Sequence, residues 1–229
     1  MKRSKNYLSI AEKIEQGREY ALADAIRILK DNGKYKLDPT LEVHMNLGVD
    51  PRHSDQVVRG NVVLPHGTGR KVRVLVLAKG ELEKAASQAG ADHVGAEELV
   101  TKIQEGWLDF DAVVATPDMM PLVGRVARVL GPRGLMPSPK AGTVTVNVAQ
   151  VVKELKAGKI SYRVDKGSNV HAPVGKLSFT ADQLSENASQ LIDSVIKAKP
   201  ATAKGVYVKS ITLAGTMTPG IRIDRNAFK

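Results

Sequence analysis

The stretch "KVRVLVLAKGELEKAASQAG" (71–90) joins two patterns of different period. From Val72 it is an apolar run interrupted once, by Arg73, which is typical of a strand buried on both faces. Four apolar side chains then recur at helical spacing before Gly90: Leu82, Ala85, Ala86 and Ala89. The stretch therefore predicts one βα unit, the building block of a parallel sheet covered by helices.

The same order of patterns repeats toward the C-terminus. Short strands are predicted at "DHVG" (92–95) and "DAVVATP" (111–117). Helices are predicted to close at Gly106, at Gly131 after a continuous helix through 122–130, and at Gly158 after "VAQVVKELKAG". Strands that alternate with glycine-terminated helices indicate a small, mostly parallel α/β unit.

The flanking sequence has a period of two instead. In "TLEVHMNL" (40–47) apolar residues alternate with Thr40, Glu42, His44 and Asn46, the pattern of a strand with one solvated face. "ISYRVD" (160–165) and the last strand, around 210–214, alternate in the same way. We therefore expect these segments to form one half-exposed antiparallel sheet.

Each flank also supplies one amphipathic helix. The first precedes Asn32 and Gly33, and the second starts at the capping box "TADQ" (180–183). Two helices can cover only one face of the sheet. We predict a chain of mixed α/β and α+β class in two domains: domain I, a split α+β domain (1–67 plus 159–229), and domain II, an inserted α/β domain (68–158).

The two crossings between these domains are rich in glycine and charge. They read "HGTGRK" and "KAGK", and such composition suits a paired hinge. We assign the hinge to Gly67, Gly69 and Gly158.

The charge is distributed unevenly. The chain has 34 Lys and Arg against 24 acids, and domain I holds 22 of these basic and 14 of these acidic residues, while domain II holds 12 and 10. The excess of +8 in domain I against +2 in domain II predicts that a polyanion binds domain I.

The kind of polyanion follows from what the exposed strand faces carry. Aromatic residues make up only 4% of the chain, and none lies among the alternating polar residues of these strands, so splayed bases would find no aromatic side chain to stack on. No helix with basic residues along one face is apparent, which argues against reading of the DNA major groove. Hydroxyls, an amide and carboxylates favour folded RNA over DNA. Glu42 and Asp165 could accept from a ribose 2′-hydroxyl or a base amine; surface ion pairs with Arg163 or Lys36 are an equal alternative.

Enzyme, cofactor and metal chemistry find little support. No phosphate-binding glycine loop follows the first buried strand, the five histidines lack ligand spacing, and there is no cysteine. Asp109 and Asp111 fit loop and cap positions better than paired catalytic carboxylates. We predict no metal, cofactor, small-molecule substrate or membrane partner for a soluble, unprocessed chain, with a nucleotide-binding enzyme built on the α/β insert as the alternative.

Five separated segments resemble one family. They are "LDPTLEVHMNLGVDPRHSDQVVRGNVVLPHGTG" (37–69), "FDAVVATPDMM" (110–120), "LGPRGLMPSPKAGTV" (130–144), "RVDKGSNVHAPVGKLSF" (163–179) and "TMTPGIRID" (216–224). Together they are similar to the bacterial form of the large-subunit ribosomal protein family number one, the proteins of the ribosome's mobile side stalk.

That resemblance implies a fold and a role. It implies an rRNA-binding domain I, a Rossmann-like three-layer domain II and no enzymatic activity. The implied partners are large-subunit rRNA, the exit-site tRNA whose deacylated form the stalk helps to release, and the protein's own operon mRNA, which it would repress. The protein would be a monomer when free and reside in the cytoplasm, in the large ribosomal subunit. A free-standing regulator that acts only on messenger is the third alternative.

The resemblance also implies the RNA contacts. They are Lys36, Leu37, Thr40, Glu42, Arg163, Asp165, Lys166, His171, Ser210, Thr216, Met217 and Thr218. Arg133 and Lys140 are a possible second RNA contact, with a rigid structural loop as the alternative. Relatives often carry an aromatic residue at the position of Leu37 and glycine at that of Thr218. The added hydroxyl of Thr218 would either join the contact or hold the RNA farther away.

Overall fold

The computed structural model describes residues 3–15, 17–32 and 37–228. The chain divides into two compact units: unit 1 (Met1–Gly69 with Ile160–Lys229) and unit 2 (Arg70–Lys159). The predicted mixed α/β fold class is confirmed. Lys36, one of the expected RNA contacts, lies outside the described residues.

The helices and strands follow in chain order. The helices are α1 (Lys5–Ala11), α2 (Leu22–Asn32), α3 (Glu81–Gln88), α4 (Glu97–Gln104), α5 (Met120–Arg125), α6 (Ala127–Leu130), α7 (Val148–Ala157) and α8 (Ala181–Lys197). The strands are β1 (Thr40–Leu47), β2 (Arg59–Val63), β3 (Val74–Leu77), β4 (His93–Gly95), β5 (Ala112–Ala115), β6 (Lys159–Arg163), β7 (Asn169–Lys176), β8 (Val208–Gly215) and β9 (Ile221–Ile223). Within the described ranges, none of the helices combines the length and apolarity needed to cross a lipid bilayer.

Unit 1 is built on a four-stranded antiparallel sheet in the order β7-β1-β8-β9. The predicted alternation in β1 is confirmed, because every second residue from Leu41 to Leu47 is buried and the residues between are partly exposed. The buried phase packs in one core with apolar residues of α2 and α8. The capping box at the start of α8 is confirmed, since Thr180 and Gln183 bond each other's backbone N–H.

The expectation that residues 160–165 join this sheet is wrong. Strand β6 pairs with β2 in a separate two-stranded sheet, and β7 is the neighbour of β1. The turn between β6 and β7 explains the difference. Asp165 Oδ1 accepts hydrogen bonds from the backbone N–H groups of Gly167 (2.8 Å) and Asn169 (2.7 Å). The turn that these bonds close separates β6, in the two-stranded sheet, from β7, in the four-stranded sheet.

Unit 2 is a three-stranded parallel sheet in the order β4-β3-β5. All four residues of β3 are buried, as the apolar run predicts, and separate apolar clusters cover the two faces of the sheet. The continuous helix expected through 122–130 is wrong: it breaks into α5 and α6 at Val126. The backbone N–H of Val126 bonds Val123 O, three residues back, with φ −101° and ψ 5°, so the α-helical ladder is interrupted there.

Asp111 and Asp109 serve as ion-pair partners for arginines. Asp111 receives Arg70 Nη2 at 2.6 Å and both the side-chain Nε and the backbone N–H of Arg73 at 3.1 Å, and Asp109 also contacts Arg73. Burial acts to raise the pKa of Asp111, but the hydrogen bonds from Arg73 and the charges of both arginines outweigh it and hold that pKa below its usual value.

We expect Asp111→Asn to lower the free energy of unfolding by about 1 to 3 kcal/mol near neutral pH, because charge-assisted hydrogen bonds at a side chain only 16% exposed are lost. A depressed folded-state pKa contributes stability above the unfolded value of about 3.9, and this is lost as pH falls through the folded value. The difference from wild type should therefore shrink below about pH 4 in urea denaturation. Asp109→Asn, at a side chain 64% exposed, is the control and should cost less. An equal loss in both variants at all pH values would contradict the assignment.

Candidate RNA interface

Among the described residues, helices α2 and α8 pack on one face of the unit 1 sheet, and the polar residues of the other face are partly or fully exposed. We call this other face the open face, and its side chains are Thr40, Glu42, His44 and Asn46 of β1, Asn169 and His171 of β7, Ser210 and Thr212 of β8, and Arg222 of β9. Strand pairing sets these residues in rows. One row runs His171, His44, Thr212, Arg222, and another runs Asn169, Asn46, Ser210.

One end of the open face is fixed by two threonines from distant parts of the chain. The Thr40 backbone N–H donates to Thr216 Oγ1 (3.1 Å), and the Thr216 N–H donates to Thr40 O (3.0 Å). Lys176 Nζ donates to Thr40 Oγ1 (2.7 Å). Leu37 and Met217 flank this contact with side chains exposed by 81% and 83%. At this end, two exposed apolar side chains thus lie beside a backbone that is fixed by hydrogen bonds between Thr40 and Thr216.

The turn after Thr216 has a constrained backbone. Met217 has φ +63°, a left-handed conformation that non-glycine residues rarely adopt. Thr218 Oγ1 accepts from Gly215 N–H (2.8 Å) and lies 3.1 Å from the carbonyl oxygens of Gly215 and Pro219. The Thr218 hydroxyl, which we expected either to join the RNA contact or to hold the RNA farther away, is therefore engaged within the turn itself.

A histidine pair occupies the middle of the open face. His44 Nδ1 and His171 Nδ1 are 2.8 Å apart, and the two rings pack edge to face. His44 Nε2 lies 3.8 Å from Glu42 Oε2, and His171 Nε2 lies 3.5 Å from Asp165 Oδ2. Burial and the neighbouring His171 lower the pKa of His44, while Glu42 partly opposes them.

The far end of the face is a network of amides and backbone groups. Asn46 Nδ2 donates to Asn169 Oδ1 (2.8 Å), and Ser210 lies opposite Asn46. Asp165 closes the turn beside it. Its backbone hydrogen bond from Asn169, with a further one from Gly167 and the nearby His171 ring, lowers its pKa despite the cost of desolvation. This end presents mainly uncharged donors and acceptors.

The ion pairs proposed for the two carboxylates involve other partners. Glu42 faces His44 and Asp165 faces His171, whereas Arg163 forms no ion pair with any described residue. Within the described ranges, the alternative ion pair with Arg163 is therefore wrong, because Arg163 lies on β6, which belongs to the separate β2-β6 sheet. Glu42 and the Oδ2 atom of Asp165 thus face histidine rather than arginine, while Asp165 Oδ1 is engaged by the backbone of its own turn.

A model of the ribosomal protein L1p/L10e family matches residues 29–219. This chain belongs to that family. The L1 family consists of structural ribosomal proteins rather than enzymes, and its members bind the rRNA of the large subunit. The family assignment and the non-enzymatic interpretation of the sequence are both confirmed.

The fold of this L1-family protein distributes the expected contacts along the open face. Leu37, Thr40, Glu42, Thr216, Met217 and Thr218 share one end, His171 is central, and Asp165, Lys166 and Ser210 are at the other. Thr216, just after β8, is six positions beyond Ser210, which corresponds to about 20 Å along an extended strand. Arg163 lies on the separate sheet, and Arg133 and Lys140 are exposed residues of unit 2.

Several residues of this face were not among the expected contacts. They are His44, Asn46, Asn169, Lys176, Thr212 and Arg222. The alternation in β1 already placed His44 and Asn46 on the solvated side. The alternation of apolar residues with other residue types in "NVHAPV" (169–174) is the sequence signal that could have predicted β7, and with it the position of Asn169.

Proposed function

We propose that this L1-family protein binds large-subunit rRNA through the open face of unit 1 and through the turn that carries Thr216, Met217 and Thr218. In the ribosome of the cytoplasm it would form the mobile side stalk that aids release of deacylated tRNA from the exit site. The same face would bind a similar fold in the protein's own operon mRNA and repress its translation. Free of RNA, the protein is a monomer in this proposal.

The convergence of distant segments supports the proposed site. The Thr40–Thr216 hydrogen bonds join residues 176 positions apart, and the His44–His171 contact joins residues 127 apart. The contacts expected at Thr40, His171 and Thr216 come from three separate segments, and their proximity on one sheet supports the proposal. Convergence of polar side chains on an uncovered sheet face is what a binding surface requires, whereas a solvated face needs no such agreement.

The chemistry of the face favours RNA over DNA. Hydroxyl, amide and carboxylate groups can exchange hydrogen bonds with 2′-hydroxyls in the wide minor groove of folded RNA. Arg222 on the face and Lys166 in the turn after Asp165 would attract phosphate, and Arg163, two residues before Asp165 in the chain, would add to this attraction. The carboxylates of Glu42 and Asp165 would repel a regular run of phosphates, so the arrangement suits a shaped RNA surface.

Two measurements test the proposal. The protein should sediment with large ribosomal subunits, and it should bind in-vitro transcribed large-subunit rRNA more tightly than DNA of the same sequence. Failure to associate with either the subunits or the rRNA would overturn it. Association with the operon mRNA alone would favour the free-standing regulator.

Arg163→Ala tests the expected attraction of Arg163 to phosphate. Arg163 is exposed and unpaired among the described residues, so its loss should leave the fold intact. We expect the slope of log binding constant against log salt concentration to fall by about 0.7 to 0.9 per lost phosphate contact. Lys84→Ala, which removes an exposed cation of unit 2, is the matched control and should not change the slope. A slope unchanged by Arg163→Ala would place that side chain away from phosphate.

We further propose that the two units act as domains joined by a hinge. Gly69 and Gly158 have φ of +71° and +102°, conformations that favour glycine. The backbone of Gly67, the third predicted hinge residue, is held in place because its carbonyl oxygen accepts a hydrogen bond from Asn187 Nδ2 at 2.9 Å. Arg133 and Lys140 of unit 2 are the proposed second RNA contact. Comparison of scattering profiles with and without rRNA tests the hinge.

A further inference from the structure

The contact between His44 and His171 restricts how the two rings carry protons. A distance of 2.8 Å between the two Nδ1 atoms is that of a hydrogen bond, in which one Nδ1 holds hydrogen and the other accepts. Two imidazolium rings would each point an Nδ1–H group at the other, and the two hydrogens and the two positive charges would repel. The pair therefore accommodates one cationic ring at most.

The outer nitrogens favour the singly charged arrangement over the neutral one. In a fully neutral pair, the ring that donates from Nδ1 has a bare Nε2 that faces a carboxylate oxygen, Glu42 at 3.8 Å or Asp165 at 3.5 Å. A proton on that Nε2 replaces the repulsion by attraction. With one added proton, both Nε2–H groups face carboxylates and a single hydrogen lies between the rings.

Burial decides which ring is the cation. The His44 side chain is 28% exposed and that of His171 is 52% exposed, so water solvates a charge on His171 better. His171 then donates Nδ1–H to a neutral His44, the order that a lowered pKa of His44 also favours. The charged groups that face the pair are Glu42 on β1, Asp165 before β7 and, beyond Thr212, Arg222 on β9.

We propose that His44 is a positioning residue whose Nδ1 accepts a hydrogen bond from His171 Nδ1–H and so holds His171 as a cationic contact for an RNA phosphate. The Nε2–H of His171, at 3.5 Å from Asp165, is beyond the usual range for a strong hydrogen bond and can donate to a phosphate oxygen as well. RNA binding is then coupled to uptake of a proton by the pair. This inference rests on the open face being the RNA-binding surface, as proposed above.

The free protein provides the first test, which does not involve RNA. Nitrogen-15 NMR of the histidine rings distinguishes the two tautomers and the cation. We expect His44 near neutral pH to be a neutral ring protonated at Nε2, and His171 to become easier to deprotonate in His44→Ala. Identical titration of His171 in wild type and His44→Ala would overturn the proposal, because His44 would then not control its charge.

The second test measures affinity for in-vitro transcribed large-subunit rRNA against pH. Wild-type affinity should fall about tenfold as pH rises from about 5 to about 8, because binding takes up a proton that is scarcer at high pH. His44→Ala should flatten this profile, and His44→Asn should restore it, because the amide oxygen of asparagine can replace Nδ1 as an acceptor. His53→Ala removes an exposed histidine elsewhere in unit 1 and should leave the profile unchanged.

The outcomes separate this inference from the site assignment. Normal affinity with one common pH profile in wild type and His44→Ala would overturn the role of His44 while the RNA-binding surface stands. Affinity that is insensitive to substitutions at both Thr216 and His171 would instead show that the RNA binds elsewhere, and would overturn both.

Discussion

Replacement of Asn187 by leucine is expected to lower the free energy of unfolding by about 2 to 4 kcal/mol. Asn187 is fully buried on α8 and all its hydrogen bonds go to backbone: Nδ2 donates to Val174 O (2.7 Å) and Gly67 O (2.9 Å), and Oδ1 accepts from His66 N–H (3.1 Å). Leucine would leave three backbone groups without this partner. Each unsatisfied buried group costs about 1 to 3 kcal/mol.

The large effect reflects where Asn187 lies. It connects α8 to β7, which borders the open face, and to the segment 66–67 shortly before the chain leaves unit 1. Val174 is fully buried, so water cannot replace the lost amide at its carbonyl oxygen, whereas His66 and Gly67 are at least partly exposed. An apolar substitution elsewhere on the helix does not carry this penalty.

Urea denaturation of the full chain measures the effect, with Gln190→Leu on the exposed side of α8 as the matched control. The control should change the free energy of unfolding by less than about 0.5 kcal/mol. A loss for Asn187→Leu that is no larger than for the control would show that the three backbone groups find other partners.

Local patterns in the sequence predict the parts of this fold that local physics determines. The period of two in β1 requires one buried face, and Leu41 and Met45 lie on it. The side chains of Thr180 and Gln183 determine the start of α8, because they satisfy N–H groups that the helix itself cannot. Neither feature needs a partner from far along the chain.

The neighbour of each strand could not be predicted in this way. Residues 160–165 and 169–174 both alternate, and alternation says which face is buried but not which strand lies beside it. The turn from Asp165 to Asn169 and the pairing of β7 with β1 decide that question. The sequence-based prediction placed all these strands in one sheet because alternation carries no information on which strands pair.

The same gap explains what was missed at the candidate site. His44 has no special feature in its own segment and gains one only because the register places it opposite His171. The resemblance to relatives indicated individual contacts. It could not reveal that two of those residues, Thr40 and Thr216, are hydrogen bonded to each other.

Substitution at Thr216 is expected to produce the largest loss of RNA affinity. Thr216→Val should weaken binding to large-subunit rRNA by about 1 to 3 kcal/mol, because it removes the hydroxyl while keeping the shape of the side chain. Thr216→Ser keeps the hydroxyl and is the matched control, with affinity close to that of wild type. Filter binding at one fixed salt concentration measures both, since affinities at different salt concentrations are not comparable.

The same substitution should affect folding much less than binding, because the environment of the lost hydrogen bond differs in the two states. In the free protein Thr216 is exposed, so water can replace its Oγ1 as the acceptor for Thr40 N–H (3.1 Å). In the complex, RNA packed over Leu37 and Met217 would exclude that water and leave the N–H unsatisfied. A free energy of unfolding that falls as much as the binding free energy would contradict this account and make Thr216 a residue of the fold rather than of the interface.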